Sequence, residues 1–199
     1  MFPLSLVLFP GQILPLHIFE DRYRTMVEEI IDDDRKFGVV LIERGSEVGG
    51  GDTRKSIGTL AEIIDSEKSN DGRWLLITKG TKRIETSRWL EDSPYPRAEV
   101  SFFAEGEFIS YDAQEWIKIV THMRRVLAIL TELGDDVVPI SINISEDPLL
   151  GSFQISSILP ITTFDSQKLL EVASVSERCA LLKRFLVSIE ETANSRLLE

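Results

Sequence analysis

A single cysteine, Cys179, stands in a chain of 199 residues, which excludes an internal disulfide and a cysteine-cluster metal site and suits a reducing cytosol. Histidine is almost as scarce. His17 and His122 lie in different halves, without the HExxH spacing of a metal site. No GxxxxGK[ST] loop is present to cradle phosphate, and GxGxxG and GxSxG are missing as well. Positive charge is short too: 22 Lys and Arg face 33 Asp and Glu, for a net −11. The acid excess divides as −6 up to Phe108 and −5 beyond it, so it is not a tail. A field of that sign repels phosphate backbones and anionic lipid, which argues against nucleic acid and membrane as partners. Asp32-Asp33-Asp34 lacks the interleaved oxygen donors of a calcium loop and reads as a solvated helix end. Cys179, beside Ala180, reads as a small buried hydrophobe. No metal or cofactor is expected.

What is present begins with an uncharged stretch from Met1 to Phe19, about the length of a membrane span or a signal core. Pro3, Pro10 and Pro15 interrupt it, no Lys or Arg precedes it, and no small-residue cleavage site follows. The pattern predicts two short buried strands, about Pro3–Leu8 and Gln12–Leu16, folded as paired β-segments around a Pro10-Gly11 turn. Phe19, Tyr23, Met26, Val27 and Ile30 then form one stripe of a helix, which should stop near the three aspartates. Phe37–Glu43 is a continuous apolar run, the pattern of a strand buried on both faces. Arg44–Ser56, with three consecutive glycines, reads as a mobile surface loop. Ile57–Asp65 is the next strand, and Asp71-Gly72 marks a hairpin turn. Trp74–Lys79 and Thr81–Leu90 follow, broken at Gly80, and Ala98–Phe103 is the last strand. A mostly antiparallel barrel over residues 1–108 is the natural packing.

The remainder, 109–199, reads as a helical bundle. Asp112 caps a helix whose stripe runs through Trp116, Ile119, Val120, Met123, Leu127 and Leu130, and Gly134 ends it. Ile117, Val126, Ile129 and Leu133 widen that stripe, as if the helix were covered on two sides. Asp147-Pro148 starts a second helix that stops at Pro160. Asp165 is expected to cap a third. Ser174–Glu177 opens a fourth, with Leu181, Leu182, Phe185, Leu186 and Ile189 facing inward.

Several blocks together resemble one family. Phe2-Pro3-Leu4, Val7-Leu8-Phe9-Pro10-Gly11, Leu14-Pro15-Leu16-His17-Ile18-Phe19-Glu20 and Arg22-Tyr23 are similar to the N-terminal, substrate-binding domain of Lon proteases, above all to stand-alone bacterial proteins made of that domain. Phe37-Gly38-Val39, Gly58–Ile63, Asp71-Gly72-Arg73, Arg83-Ile84, Ala98-Glu99-Val100 and Gln167–Glu171 continue the likeness in order. The resemblance implies an α+β fold, a PUA-like mostly antiparallel β-barrel followed by a C-terminal helical bundle. It also implies a non-catalytic module that captures exposed or unfolded polypeptide in the cytoplasm, in the service of a protease or chaperone. The ATPase and Ser–Lys protease modules of Lon have no counterpart in these residues, so neither activity is expected.

Trp74, Trp89 and Tyr95, near loops and strand ends, are the candidate partner-binding residues, since aromatic side chains offer large contact area at low entropy cost. Two other classes compete. PUA-like barrels elsewhere bind RNA, and Lys79, Lys82, Arg83 and Arg88 form a local basic cluster. A small-molecule enzyme with an unrecognised carboxylate site would need two buried acids facing each other.

Overall fold

The computed structural model describes residues 1–47, 51–106 and 111–198. They form two units, 1–103 and 104–199; the expected boundary at Phe108 and Ile109 lies outside the described residues.

The first unit is a curled six-stranded sheet with one helix. Its strands are β1 (Phe2–Leu4), β2 (Ile13–Ile18), β3 (Lys36–Arg44), β4 (Thr53–Lys68), β5 (Trp74–Trp89) and β6 (Ala98–Phe102), and its helix is α1 (Asp21–Ile30). The order is β1-β3-β4-β5-β2, with β6 also on β5. Among the described residues the β1–β3 pair is parallel and the other four are antiparallel. The apolar run Phe37–Ile42 is buried throughout, as its lack of alternation requires. Gly72 takes φ +84 in the β4–β5 turn, a conformation that L side chains resist.

Sequence and structure part company at the two opening strands. β1 pairs with β3 and β2 with β5, so they stand at opposite ends of the sheet and are not partners. The reason is that Val7-Leu8-Phe9 leaves the sheet and is buried against β4 and β5. Thr59 donates its hydroxyl to the Leu8 carbonyl at 2.5 Å. Gly11 donates to the Gly80 carbonyl and Gly80 donates back to Gln12, at 2.8 and 2.9 Å. Gly80 therefore does not break β5; it lies where the register slips between Leu60 and Ala61, and the strand runs through it. A Cβ there would sit 2.3 Å from the Phe9 carbonyl oxygen.

Smaller corrections follow from packing. Phe19 precedes α1 and is exposed, because the helix starts only at Asp21. The loop expected over Arg44–Ser56 is shorter, since Arg44 closes β3 and Thr53 already opens β4; Gly49 and Gly50 of its glycine run lie outside the described residues. The β1, β2, α1 and β3 side chains Phe2, Leu14, Ile18, Met26, Val27 and Val39 form the core of this unit.

The second unit holds α2 (Ala113–Glu132), α3 (Pro148–Ile158), α4 (Thr163–Glu171) and α5 (Val175–Leu197). Each starts at a side-chain cap: Asp112, Asp147, Thr162 and Ser174 accept from main-chain N–H groups two or three residues ahead. The third cap is Thr162 and not Asp165; Asp165 sits three residues on, donates its N–H to Thr162 Oγ1 at 3.1 Å and accepts from the Thr162 hydroxyl at 2.7 Å. Leu182 and Leu186 of α5 are buried as expected, whereas Leu181, Phe185 and Ile189 are only half-buried and Ile117 of α2 is exposed. Arg178 is fully buried, stacks 3.8 Å from the Phe153 ring and donates to Leu169 and Val172 carbonyls and to Ser152 Oγ. No described helix is long and apolar enough to cross a membrane.

Gly80→Ala should destabilise the first unit by about 1–3 kcal/mol, because the new methyl displaces the Phe9 main chain. A lower urea midpoint at unchanged slope is the expected reading; an unchanged midpoint would show that the Val7–Phe9 run is not pinned at Gly80.

Candidate functional site

Alternation along β2 sends Leu14 and Ile18 into the core and leaves Ile13, Pro15 and His17 on the outer face. Directly opposite on β5 are Lys79, Ile77 and Leu75, and cross-strand partners share a face. On the far side of β5, Glu62 faces Lys79, Asp65 faces Ile77 and Glu67 faces Leu75, while Ile64 sits in the bulge next to Asp65. Register therefore assembles an apolar strip of Ile13, Pro15, Ile64, Leu75 and Ile77 across three strands, edged by His17, Lys79, Glu62 and Glu67 and broken on β4 by Asp65 opposite Ile77. Ile13, Ile64 and Leu75 are 47%, 51% and 49% exposed. A contiguous exposed apolar surface with a polar rim marks an interaction site.

Beyond His17 the strip reaches Phe19 and a cleft of about 130 Å³. That cleft opens where the sheet fails to close, lined by Phe2 and Leu4 of β1 and by Leu16 and Ile18 of β2, with Tyr23 and Phe19 beside them. Burial pushes the Tyr23 hydroxyl up to about 12, so it stays a neutral donor. The Arg22 guanidinium stacks on its ring at 4.5 Å.

The three aromatics singled out in the sequence are not brought together. Trp74 and Trp89 stand at opposite ends of β5. Trp74 packs on the core cluster, with the Lys68 ammonium 5.2 Å from its ring. Tyr95 packs on the same cluster and donates its hydroxyl to Glu29, and burial together with that carboxylate raises its pKa. Trp89 covers Arg54, whose guanidinium lies 4.8 Å from the ring and bridges Asp52 and Asp92 at 2.5 Å each. Arg54 in turn holds the Asp92 carboxyl below the usual carboxylate range. All three aromatic side chains are half-buried.

The competing chemistries find less. Of the basic cluster, Arg83 is buried against Phe103, Arg88 is paired with Glu99, and Lys82 lies over Phe102, so no single basic surface forms. Asp52, whose side chain is 3% exposed, pairs with Arg54 and not with another acid. No group of three or more His, Cys, Asp or Glu among them is arranged to hold a metal. His17 is exposed beside Phe19, and His122 lies 2.8 Å from Glu190. Cys179 is fully buried, and burial pushes its thiol up to about 11.

Sequence reading passed over Ile13, Ile64, Leu75 and Ile77. The signal was the doubled aliphatics Ile63-Ile64 and Leu75-Leu76: a strand with one buried face has no folding use for the second of each pair.

The fold is that of solved Lon N-terminal domains. A Lon N-terminal domain protein from Xanthomonas campestris superposes with a TM-score of 0.70 at 23% identity, covering 92% of this chain and 95% of that one. The N-terminal domain of Lon protease from the Mycobacterium avium complex gives 0.62 at 18% identity, over 93% and 96%. Residues 1–188 match the model of the ATP-dependent protease La (LON) substrate-binding domain, and the chain belongs to that family. It is 28% identical over 188 residues to a Lon protease of Desulfosudis oleivorans and 27% over 187 residues to one of Cytophaga hutchinsonii. It spans 22% and 23% of the length of those two relatives.

With its thiol at about 11, Cys179 is neutral and inaccessible at pH 8. A chromogenic disulfide reagent should leave it unlabelled in the native protein and label one thiol per chain in denaturant. Fast native labelling would contradict the buried placement.

Proposed function

We propose that this chain captures exposed polypeptide through the apolar outer face of β2, β5 and β4, and itself neither hydrolyses ATP nor cleaves peptide bonds. Membership of a substrate-binding family supports a binding role, and the contiguous strip of Ile13, Pro15, Ile64, Leu75 and Ile77 is the observation that carries the location. Unfolded chains expose aliphatic and aromatic side chains, and burying these against an exposed aliphatic strip gives affinity with little dependence on sequence. The work is placed in the cytoplasm, beside a protease or chaperone that acts on what is captured. Trp74, Trp89 and Tyr95 contribute through the ring surface their neighbours leave uncovered, with Trp89 the member farthest along β5 from Trp74.

Titration with a permanently unfolded, carboxymethylated polypeptide, followed by tryptophan fluorescence, tests this reading. Saturable binding is expected, weakened about tenfold by Leu75→Asp or Ile13→Asp, each removing about 1.5 kcal/mol of apolar contact. Both positions are exposed, so stability should change by no more than about 0.5 kcal/mol. Trp89→Ala reports separately on the aromatic contribution. Absence of binding into the high micromolar range, or hydrolysis of ATP or casein by the purified chain, overturns the proposal.

A further inference from the structure

Among the described residues the sheet has three strands with an open edge: β1, β2 and β6 each pair on one side only. Open edges offer main-chain donors and acceptors to any extended chain, and proteins blunt them with proline, lysine or bulges. β1 is three residues long with Pro3 at its centre. β2 carries Pro15 on its open side: the Leu14 carbonyl accepts from Thr78 and the Gln12 carbonyl from Gly80, so the even-numbered residues face β5 and Pro15 faces away.

β6, Ala98-Glu99-Val100-Ser101-Phe102, has neither proline nor lysine. Its inward side is fixed by three bonds. The Arg97 carbonyl accepts from Leu90, the Glu99 carbonyl from Ser87 Oγ, and Phe103 donates to Arg83. Odd-numbered residues therefore point their main chain at β5, and Ala98, Val100 and Phe102 direct theirs outward. Val100 and Phe102 are 43% and 64% exposed and share one face, with the Lys82 ammonium 4.9 Å from the Phe102 ring. Glu99 and Ser101 occupy the other face, and Arg88 pairs with the Glu99 carboxylate.

Resting on the capture reading above, we infer that the captured polypeptide is held as an added strand on the open edge of β6. The chemistry of the edge selects its occupant. The main-chain groups of Ala98, Val100 and Phe102 demand an extended backbone with free N–H groups. Val100 and Phe102 favour apolar residues at every second position, and Glu99 with the net −11 of the chain favours neutral or basic residues between them. The same −11 on each copy opposes edge-to-edge pairing of two copies.

The probe is an eight-residue peptide alternating valine or phenylalanine with serine or lysine, alongside the same peptide N-methylated at every interior amide. Val100→Pro removes one outward donor while leaving the bonds to β5, as Pro15 does in β2, and circular dichroism with a urea midpoint verifies its fold. The expected result is saturable binding of the plain peptide, weakened about tenfold by Val100→Pro and by N-methylation, consistent with loss of one or more main-chain hydrogen bonds. The methylated peptide needs no variant, so the test survives a Val100→Pro protein that does not fold. Equal binding of plain and methylated peptides overturns the strand-addition idea, and leaves capture by the outer face standing if Leu75→Asp still weakens binding of the unfolded polypeptide. No binding of either probe by the unaltered protein removes the capture reading and this inference with it. A concentration-dependent dimer in sedimentation that Val100→Pro dissociates also overturns it, by making a second copy the occupant.

Discussion

The buried run Val7-Leu8-Phe9 sets the geometry of the whole first unit. A segment outside regular structure carries main-chain polar groups into the interior and needs partners for them. Thr59 supplies one to the Leu8 carbonyl, the Gln12 side chain accepts from the Phe9 N–H, and Gly80 accepts from Gly11 and donates to the Gln12 carbonyl. These bonds seat Leu8 and Phe9 inside, at 1% and 2% exposure. They also deliver the chain to the first half of β5, so that β2 lies along Trp74–Lys79 and the second half of the same edge is left for β6. Both the gap between β1 and β2 and the free edge of β6 follow from where that short run is tied.

Once β2 is laid on β5, period-two alternation decides which aliphatics are used for folding. Leu14, Ile18, Leu76 and Ile63 enter the core, and their neighbours Ile13, Leu75 and Ile64 are turned to solvent. Exposed apolar residues contribute nothing to the stability of the folded unit, and single ones are ordinary on any surface. Here the register sets them side by side across β2, β5 and β4, which chance scatter does not explain. The outer face and the β6 edge supply different kinds of contact: one offers aliphatic surface, the other main-chain hydrogen bonds.

Much of this architecture was legible in the residues. The unbroken apolar run of β3, the Asp71-Gly72 turn, and the caps Asp112, Asp147 and Ser174 are local signals, and each appears where its chemistry places it. Two kinds of information were not local. Which strands pair depends on the tie between Leu8 and Thr59, fifty-one positions apart. The continuity of β5 through Gly80 depends on a close approach by Phe9 that no spacing reveals. Asp165 misled for a related reason: Thr and Asp are both acceptable caps by composition, and only backbone geometry shows that Thr162 holds the extended conformation. The candidate site was legible only in part, because Trp74, Trp89 and Tyr95 stand out by residue type, whereas the aliphatic strip emerges only when the register aligns three strands.

The acid excess then takes on a physical sense that composition alone left open. A protein carrying an exposed aliphatic face and an unprotected strand edge is liable to stick to its own copies, by hydrophobic contact or by edge pairing. A net charge of −11, divided between both halves of the sequence, raises the work of bringing two copies together while imposing no such penalty on a neutral or basic unfolded segment. Within the sheet Glu62 and Glu67 rim the strip, and Asp65 stands directly opposite Ile77 inside it. Their charge opposes self-association while Ile64 and Leu75 keep about half of their surface in solvent. The same charge that repels a phosphate backbone therefore also raises the cost of self-association through the exposed aliphatic strip.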